Sequence, residues 1–160
     1  MTLAQRKIKS PLGPLFLVAS PKAIKGIYFD KQNLPTHTDD TSTQRLLDLL
    51  EQQLQEYFAG DRTSFDLPLD PDGTEFQKKV WKQLLKIPYG QTQSYKDIAK
   101  GIKDANASRA VGTANSKNPI CIIIPCHRVI TSNATLGGYT GGLDKKIKLL
   151  NIEHIDTKNL

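Results

Sequence analysis

Ser94-Tyr95-Lys96-Asp97-Ile98-Ala99-Lys100-Gly101, followed a few residues on by Asn106-Ala107-Ser108-Arg109-Ala110-Val111-Gly112-Thr113-Ala114, reads as two short helices in succession. Ser94 and Asp97 have capping-box spacing, in which each side chain satisfies the other's free backbone N–H, so a helix opens at Tyr95. Gly101 can end it. Asn106 is a good cap for the second helix, which runs to Ala114. Two short helices joined by a glycine-containing connection read as helix-turn-helix. The second is nearly all small residues around one arginine, Arg109, and small side chains let a helix backbone approach another surface closely. Two surfaces fit that description. One is a nucleic-acid groove entered by Arg109, and the other is a neighbouring helix with Arg109 in a salt bridge.

Upstream, Thr74 and Gln77 form another capping box, and Phe76, Val80, Trp81, Leu84 and Ile87 make a buried helical stripe that stops at Pro88. Trp81 fits that stripe as a core residue. Leu67-Pro68-Leu69-Asp70-Pro71-Asp72-Gly73 breaks all periodicity and reads as a linker, dividing the chain into domains 1–73 and 74–160. The first third reads as strands: Leu15 to Ala19 and Ala23 to Phe29 are short and β-rich, with Ser20-Pro21-Lys22 between them. A helix follows Asp39-Asp40-Thr41-Ser42, with Leu46, Leu47, Leu50, Leu54, Tyr57 and Phe58 on one face and Gly60 past its end. Downstream, Ile120-Cys121-Ile122-Ile123-Ile124-Pro125 is too β-branched for a helix and must be buried. It delivers the chain to Cys126-His127-Arg128. Ser132-Asn133 marks a turn, residues 137–142 are glycine-rich, and a last helix spans about Leu143 to Glu153 with Leu143, Ile147 and Leu150 inward. The fold class is α+β.

The 160 residues carry a net charge of +6, unevenly placed: residues 1–73 balance at −2 and residues 74–160 at +8. A basic half suggests a polyanion partner, although solvated helix faces use lysine in the same way. No apolar run approaches the ~20 residues of a membrane span, and no secretory leader is expected from the first residues. Two cysteines five residues apart make no disulfide scaffold and point to a reducing cytoplasm. Two Cys and three His, not paired at ligand spacing, make structural zinc an unsuitable reading.

Cys126 beside His127 and Arg128 has the ingredients of an activated thiol, because nearby positive charge or a base lowers a thiol pKa from about 8.5 into the reactive range. Neighbouring side chains on an extended chain face opposite ways, so His127 can act on Cys126 only through a sharp turn or a bridging water. The imidazole would also want a carboxylate on its other nitrogen, and Glu153 on the last helix is a candidate. The residues alone leave a second reading open, a buried structural cysteine.

Ile124-Pro125-Cys126-His127-Arg128-Val129 resembles the Pro-Cys-His-Arg-Val signature of O6-alkylguanine-DNA alkyltransferases, the methylated-DNA–protein-cysteine methyltransferases. The resemblance runs in order from Thr74 to Glu153, through Ile87-Pro88-Tyr89-Gly90, Ser94-Tyr95, Arg109-Ala110-Val111-Gly112, Asn118-Pro119, Gly138-Tyr139-Thr140-Gly141-Gly142-Leu143 and Leu149-Leu150. Residues 1–73 are similar, more loosely, to the family's ribonuclease-H-like N-terminal domain. The resemblance implies a winged-helix-like second domain that repairs DNA in a single turnover, without cofactor or metal. Cys126 would take the alkyl group from O6-alkylguanine, and from O4-alkylthymine as well. His127 would activate it through water, oriented by Glu153, and Tyr95 would donate to the departing base. Arg109 would enter the minor groove of double-stranded DNA in place of a flipped nucleotide, with Ser108, Ala110 and Gly112 admitting the backbone. Asn118 would be the hinge, and Asn118, Val129, Tyr139, Thr140 and Gly141 would belong to the base pocket, Val129 through its backbone carbonyl. The expected protein is a cytoplasmic monomer that touches no membrane.

Thr140 stands where relatives often carry Ser or Ala, and Ile147 replaces an aromatic residue. With no Cys and one His in residues 1–73, the zinc site of some relatives is not carried over. Cys121 reads as structural. Two rivals remain: a lesion-binding alkyltransferase-like protein, which would lack the cysteine, and a thiol peroxidase or hydrolase, which would not need Arg109 or the basic half.

Overall fold

The computed structural model describes residues 2–160, which separate into two compact units divided between Asp72 and Gly73. Together they are α+β.

The first unit is a three-stranded antiparallel sheet in the order β1 (Ala4–Ile8), β2 (Leu15–Ala19), β3 (Ile24–Tyr28), with helix α1 (Thr41–Phe58) packed on it. The register pairs Lys7 with Phe16 and Phe16 with Tyr28. Leu15, Leu17, Ile24 and Ile27 are buried against Leu47, Leu50, Leu54 and Tyr57, the inner part of the helix stripe. Asp40 caps α1 by accepting from the Thr43 N–H at 2.8 Å. Strand β1 was not foreseen, since Gln5, Arg6 and Lys7 interrupt its apolar pattern. The proline-rich segment expected to be a plain linker also docks partly on the sheet. Ile24 N–H donates to the Pro68 carbonyl at 2.8 Å, and Asp70 N–H donates to the Ile24 carbonyl at 3.0 Å. Lys25 meets Asp70 and Asp72 there, at 2.9 Å each.

The second unit contains α2 (Glu75–Leu84), α3 (Tyr95–Gly101), α4 (Ser108–Ser116) and α5 (Leu143–Ile152), and a two-residue parallel pair, β4 (Gln93–Ser94) with β5 (Val129–Ile130). Both capping boxes are formed, at Thr74/Gln77 and at Ser94/Asp97. Helices α2, α3 and α4 pack together, and the buried Trp81 indole N–H donates to the Ala114 carbonyl at 2.9 Å, tying α2 to the end of α4. Two expectations are corrected. Ala107, not Asn106, is the N-cap of α4, and it makes no side-chain capping bond. The inner face of α5 is Lys146, Leu149 and Leu150; Leu143 is 46% exposed at the first turn and Ile147 is half-buried. Among the described residues, no helix is long and apolar enough to cross a membrane.

Candidate active site

Every residue from Ile120 to Ile130 is buried. Burying so many backbone groups requires internal hydrogen bonds, and a run of tight turns supplies them. Ile124 N–H donates to the Ile120 carbonyl at 3.0 Å, and Cys126 N–H donates to the Ile124 carbonyl at 2.7 Å. The turns force Ile122 to φ +75°, a left-handed conformation that a β-branched side chain adopts only under strain of about 1–3 kcal/mol. Asn118 clamps this segment: its amide donates to the Ile124 carbonyl at 2.7 Å while its oxygen accepts from Ile120 N–H at 3.0 Å.

Cys126–Arg128 then form one turn of 3-10 helix. That is the sharp turn the Cys-His pair requires. Its result is a buried polar network around Glu153. His127 Nε2 lies 2.6 Å from Glu153 Oε2, Arg128 Nε donates to Oε1 at 2.7 Å, and Arg128 Nη2 donates to Oε2 at 3.0 Å. Gly90 N–H adds a fourth donor at 3.2 Å. The remaining Arg128 reach goes to the Ile87 carbonyl at 2.7 Å, with the guanidinium 5.9 Å from the centre of the Tyr89 ring. Glu153 is placed for this by the end of α5. His154 at φ +65° closes a Schellman-type stop, with Ile155 N–H donating to the Leu150 carbonyl at 2.9 Å.

A carboxylate only accepts, so the proton of neutral His127 belongs on Nε2, and Nδ1 carries the free lone pair. Nδ1 is buried and, among the described residues, has no hydrogen-bond partner. Burial pushes the His127 pKa below its ordinary value, against the pull of Glu153, so the ring is a neutral base at physiological pH. Burial pushes the Cys126 thiol up, while hydrogen bonds from Asn118 and Tyr139 and the charge of Lys146 oppose that. The Cys121 thiol is pushed up as well, by burial first, and Cys121 is not among the residues that line the pocket onto which Cys126 opens.

Cys126 opens onto a pocket of about 220 Å³ whose other lining residues are Tyr95, Gly112, Asn115, Ser116, Gly138, Tyr139 and Thr140. The Tyr95 hydroxyl is hydrogen-bonded to the Gly138 backbone, and burial holds its pKa above the ordinary value, so it remains a proton donor. Gly137, at φ +71°, is required here: a Cβ would lie 3.0 Å from the Tyr95 oxygen. Thr140 Oγ1 donates to the Ser116 carbonyl at 2.8 Å, joining the glycine-rich loop to the end of α4. Gly112 faces the Tyr95 ring, whereas Arg109 and Ala110 are exposed on α4 and Ser108 is half-buried. Among the described residues Arg109 forms no ion pair, so the salt bridge expected in the alternative reading is not seen.

Three residues expected in the pocket do not line it. Asn118 holds the reactive segment from behind, Gly141 lies outside the lining, and Val129 is fully buried with its carbonyl accepting from Lys146 at 2.7 Å. Four residues were missed as site members. Asn115 donates to the Cys126 carbonyl at 3.4 Å, Ser116 lines the pocket, Arg128 is the partner of Glu153, and Lys146 is buried behind the pocket. The readable signals among them were a polar Asn on the apolar face of α4 and the place of Arg128 beside the Cys-His pair. No group of three or more His, Cys, Asp or Glu among the described residues could hold a metal ion.

Comparison with known proteins matches residues 75–155 to the model of the 6-O-methylguanine DNA methyltransferase DNA binding domain, and residues 3–71 to that of the ribonuclease-like domain of the same proteins. A methylated-DNA–protein-cysteine methyltransferase of Methanosarcina barkeri is 48% identical over 148 residues, covering 91% of this chain and 94% of the relative. One of Mycobacterium tuberculosis is 46% identical over 149 residues, covering 92% and 90%. Among solved structures, Mycobacterium tuberculosis OGT in complex with DNA is similar with a TM-score of 0.85 and 42% identity, covering 94% of this chain and 93% of that one. An O6-methylguanine DNA methyltransferase from Methanococcus jannaschii is similar at 0.67 and 28%, covering 96% of each.

Proposed function

The chain belongs to the 6-O-methylguanine DNA methyltransferase family, and from that membership we propose how its second unit carries out the reaction. It is a DNA repair enzyme that moves an alkyl group from DNA onto a cysteine of its own chain. Cys126 is that cysteine. The observation that carries the assignment is the geometry behind it: a thiol at the pocket, a neutral imidazole one residue on, and a carboxylate 2.6 Å from the imidazole nitrogen that must bear the proton.

The thiol proton passes through a water to His127 Nδ1, the one ring atom with a free lone pair. The imidazolium is stabilised by Glu153, which is itself held by Arg128 and Gly90. Cys126 Sγ then attacks the alkyl carbon on O6 of guanine. The S–C bond forms, the C–O6 bond breaks, and its electron pair leaves with the purine, which takes a proton from Tyr95. The product thioether has no hydrolytic way back, so each chain reacts once.

A base stacked in a duplex cannot reach a thiol on such a pocket, so the nucleotide is flipped out at a cost of a few kcal/mol. Arg109, exposed and without an ion pair on α4, fills the gap from the minor groove, and the small neighbours Ser108 and Ala110 let the helix approach. The +8 balance of residues 74–160 supplies the attraction to phosphates. The same route serves O4-alkylthymine, and a single chain in the cytoplasm suffices for it.

The test is a pair of single-turnover rates, on duplex DNA and on free O6-benzylguanine, which needs no flipping. Arg109→Ala is expected to slow the duplex reaction and spare the free base. His127→Ala is expected to slow both, by about 10²–10⁴ for loss of a general base. Equal losses on both substrates for Arg109→Ala would contradict the flipping role.

A further inference from the structure

Helix α4 buries three side chains, Val111, Ala114 and Asn115, and only the last is polar. Apolar packing accounts for the first two. Asn115 is 5% exposed, yet it belongs to the wall of the pocket onto which Cys126 opens. The end of α4 that carries it is held in place next door, where the Trp81 indole N–H donates to the Ala114 carbonyl at 2.9 Å.

The two ends of the Asn115 amide are placed differently. Nδ2 lies 3.4 Å from the Cys126 carbonyl, and because a carbonyl only accepts, nitrogen is the atom that faces it. Oδ1 therefore faces away from that carbonyl. It is buried and, among the described residues, has no hydrogen-bond partner. The hydroxyls that line the pocket are used elsewhere: Tyr95 on the Gly138 backbone, Tyr139 on the Cys126 thiol, and Thr140 on the Ser116 carbonyl at 2.8 Å. A buried acceptor left without a donor is costly, so α4 presents a group to be satisfied by a donor brought in from outside the chain.

A flipped base can bring one. Alkylation at O6 removes the hydrogen from N1 of guanine, so N1, N3 and N7 only accept, and the exocyclic 2-amino group is the N–H donor that remains. O4-alkylthymine loses the hydrogen of N3 in the same way and keeps no N–H donor at all.

We propose that Asn115 is a specificity-determining residue for the alkyl transfer: its Oδ1 accepts from the 2-amino group of flipped O6-alkylguanine and so favours that lesion over O4-alkylthymine. The inference rests on the proposed transfer to Cys126, whose substrates it ranks. Thr140, exposed on the glycine-rich loop, bridges that wall to the end of α4, and the base reaches Oδ1 as this bond gives way. With Nδ2 on the Cys126 carbonyl and Oδ1 on the base, one amide fixes the lesion relative to the backbone of the nucleophile.

The test uses two duplexes that differ by one amino group, carrying O6-methylguanine or O6-methylhypoxanthine at the same position. Single-turnover transfer is measured for the wild-type protein and for Asn115→Leu, whose side chain is of similar size and has neither donor nor acceptor. The Cys126 carbonyl keeps a second donor in that variant, the Val129 N–H. Any difference in pairing strength between the duplexes is common to both proteins, so the readout is the change in the ratio of the two rates. The expected result is that Asn115→Leu slows the O6-methylguanine reaction about three- to tenfold more than the O6-methylhypoxanthine reaction. A duplex with O4-methylthymine should follow the hypoxanthine one. Equal slowing on both duplexes would overturn the proposal and leave Asn115 as a brace of the reactive turn. Should the variant not fold, the wild-type protein decides on free bases, which need no flipping: O6-benzylguanine is expected to react faster than its analogue without the 2-amino group, and equal rates overturn the proposal. A folded wild-type protein that takes the methyl group from neither duplex would instead refute the transfer on which the inference rests.

Discussion

Glu153→Gln puts the buried network under the sharpest test. The carboxylate accepts four hydrogen bonds, from His127 Nε2, two guanidinium nitrogens of Arg128, and Gly90 N–H. The amide has the same shape, but its NH₂ cannot accept, so at least one of these donors is left facing another donor. The larger loss is the charge: Arg128 is 7% exposed and would be a buried cation without an anion. Breaking a buried pair in this way costs about 3–5 kcal/mol. At about 2–4 °C per kcal/mol for a chain of this size, the melting temperature is expected to fall by roughly 6–20 °C. Transfer, measured in single turnover at a temperature where both proteins are folded, is expected to fall by about 10²–10⁴ because the imidazole loses its tautomer and orientation. Adding Arg128→Met to Glu153→Gln should recover part of the stability and none of the rate, since it removes the unpaired charge without restoring the base. A melting temperature within about 2 °C of wild type for Glu153→Gln alone would refute the account of the network.

Cys121→Ser should remain active in transfer, with reduced stability in thermal melts because a hydroxyl replaces a buried thiol. Binding to duplex DNA should weaken steadily with salt, with a slope of log K against log salt set by the phosphates neutralised, and should vary little with flanking sequence, because the minor groove offers a degenerate pattern. The pH–rate profile should keep its acid limb below the ordinary histidine range, since burial holds His127 neutral there, and should rise towards alkaline pH, since the Cys126 thiol is held above its usual value. A profile with its acid limb centred at the unperturbed imidazole value of about 6.5 would contradict the buried-base reading.

The parts of this molecule that were legible in its sequence are those written in local patterns. Capping boxes at Thr74/Gln77 and Ser94/Asp97, the α1 stripe, and the Cys126-His127-Arg128 run each declare themselves within a few residues. Strand β1 did not, because Gln5 is buried by bonds to the Gln32 and Leu34 carbonyls, a distant contact that no periodicity encodes. Lys146 did not either: three lysines within four positions of a helix look like a solvated face, and only the fold turns the middle one inward against Val129 and Gly138. Arg128 was visible as a positive neighbour of the cysteine. Its actual task, bracing Glu153 for His127, depends on where α5 ends, and that is fixed by the left-handed turn at His154. Asn118 and Val129 were expected in the pocket and were found supporting it, since a motif names residues near a site without saying which atoms face the ligand.

The most direct measurement is the intact mass of the protein, with peptide mapping, after incubation with a duplex containing one O6-methylguanine. The account predicts a one-methyl increment located on Cys126, reaching at most one per chain, with guanine restored in the DNA and no increment in Cys126→Ser. A protein that binds the methylated duplex and gains no mass would be a lesion binder, and a methyl group found on Cys121 would place the chemistry on the wrong sulfur; either result contradicts the central claim.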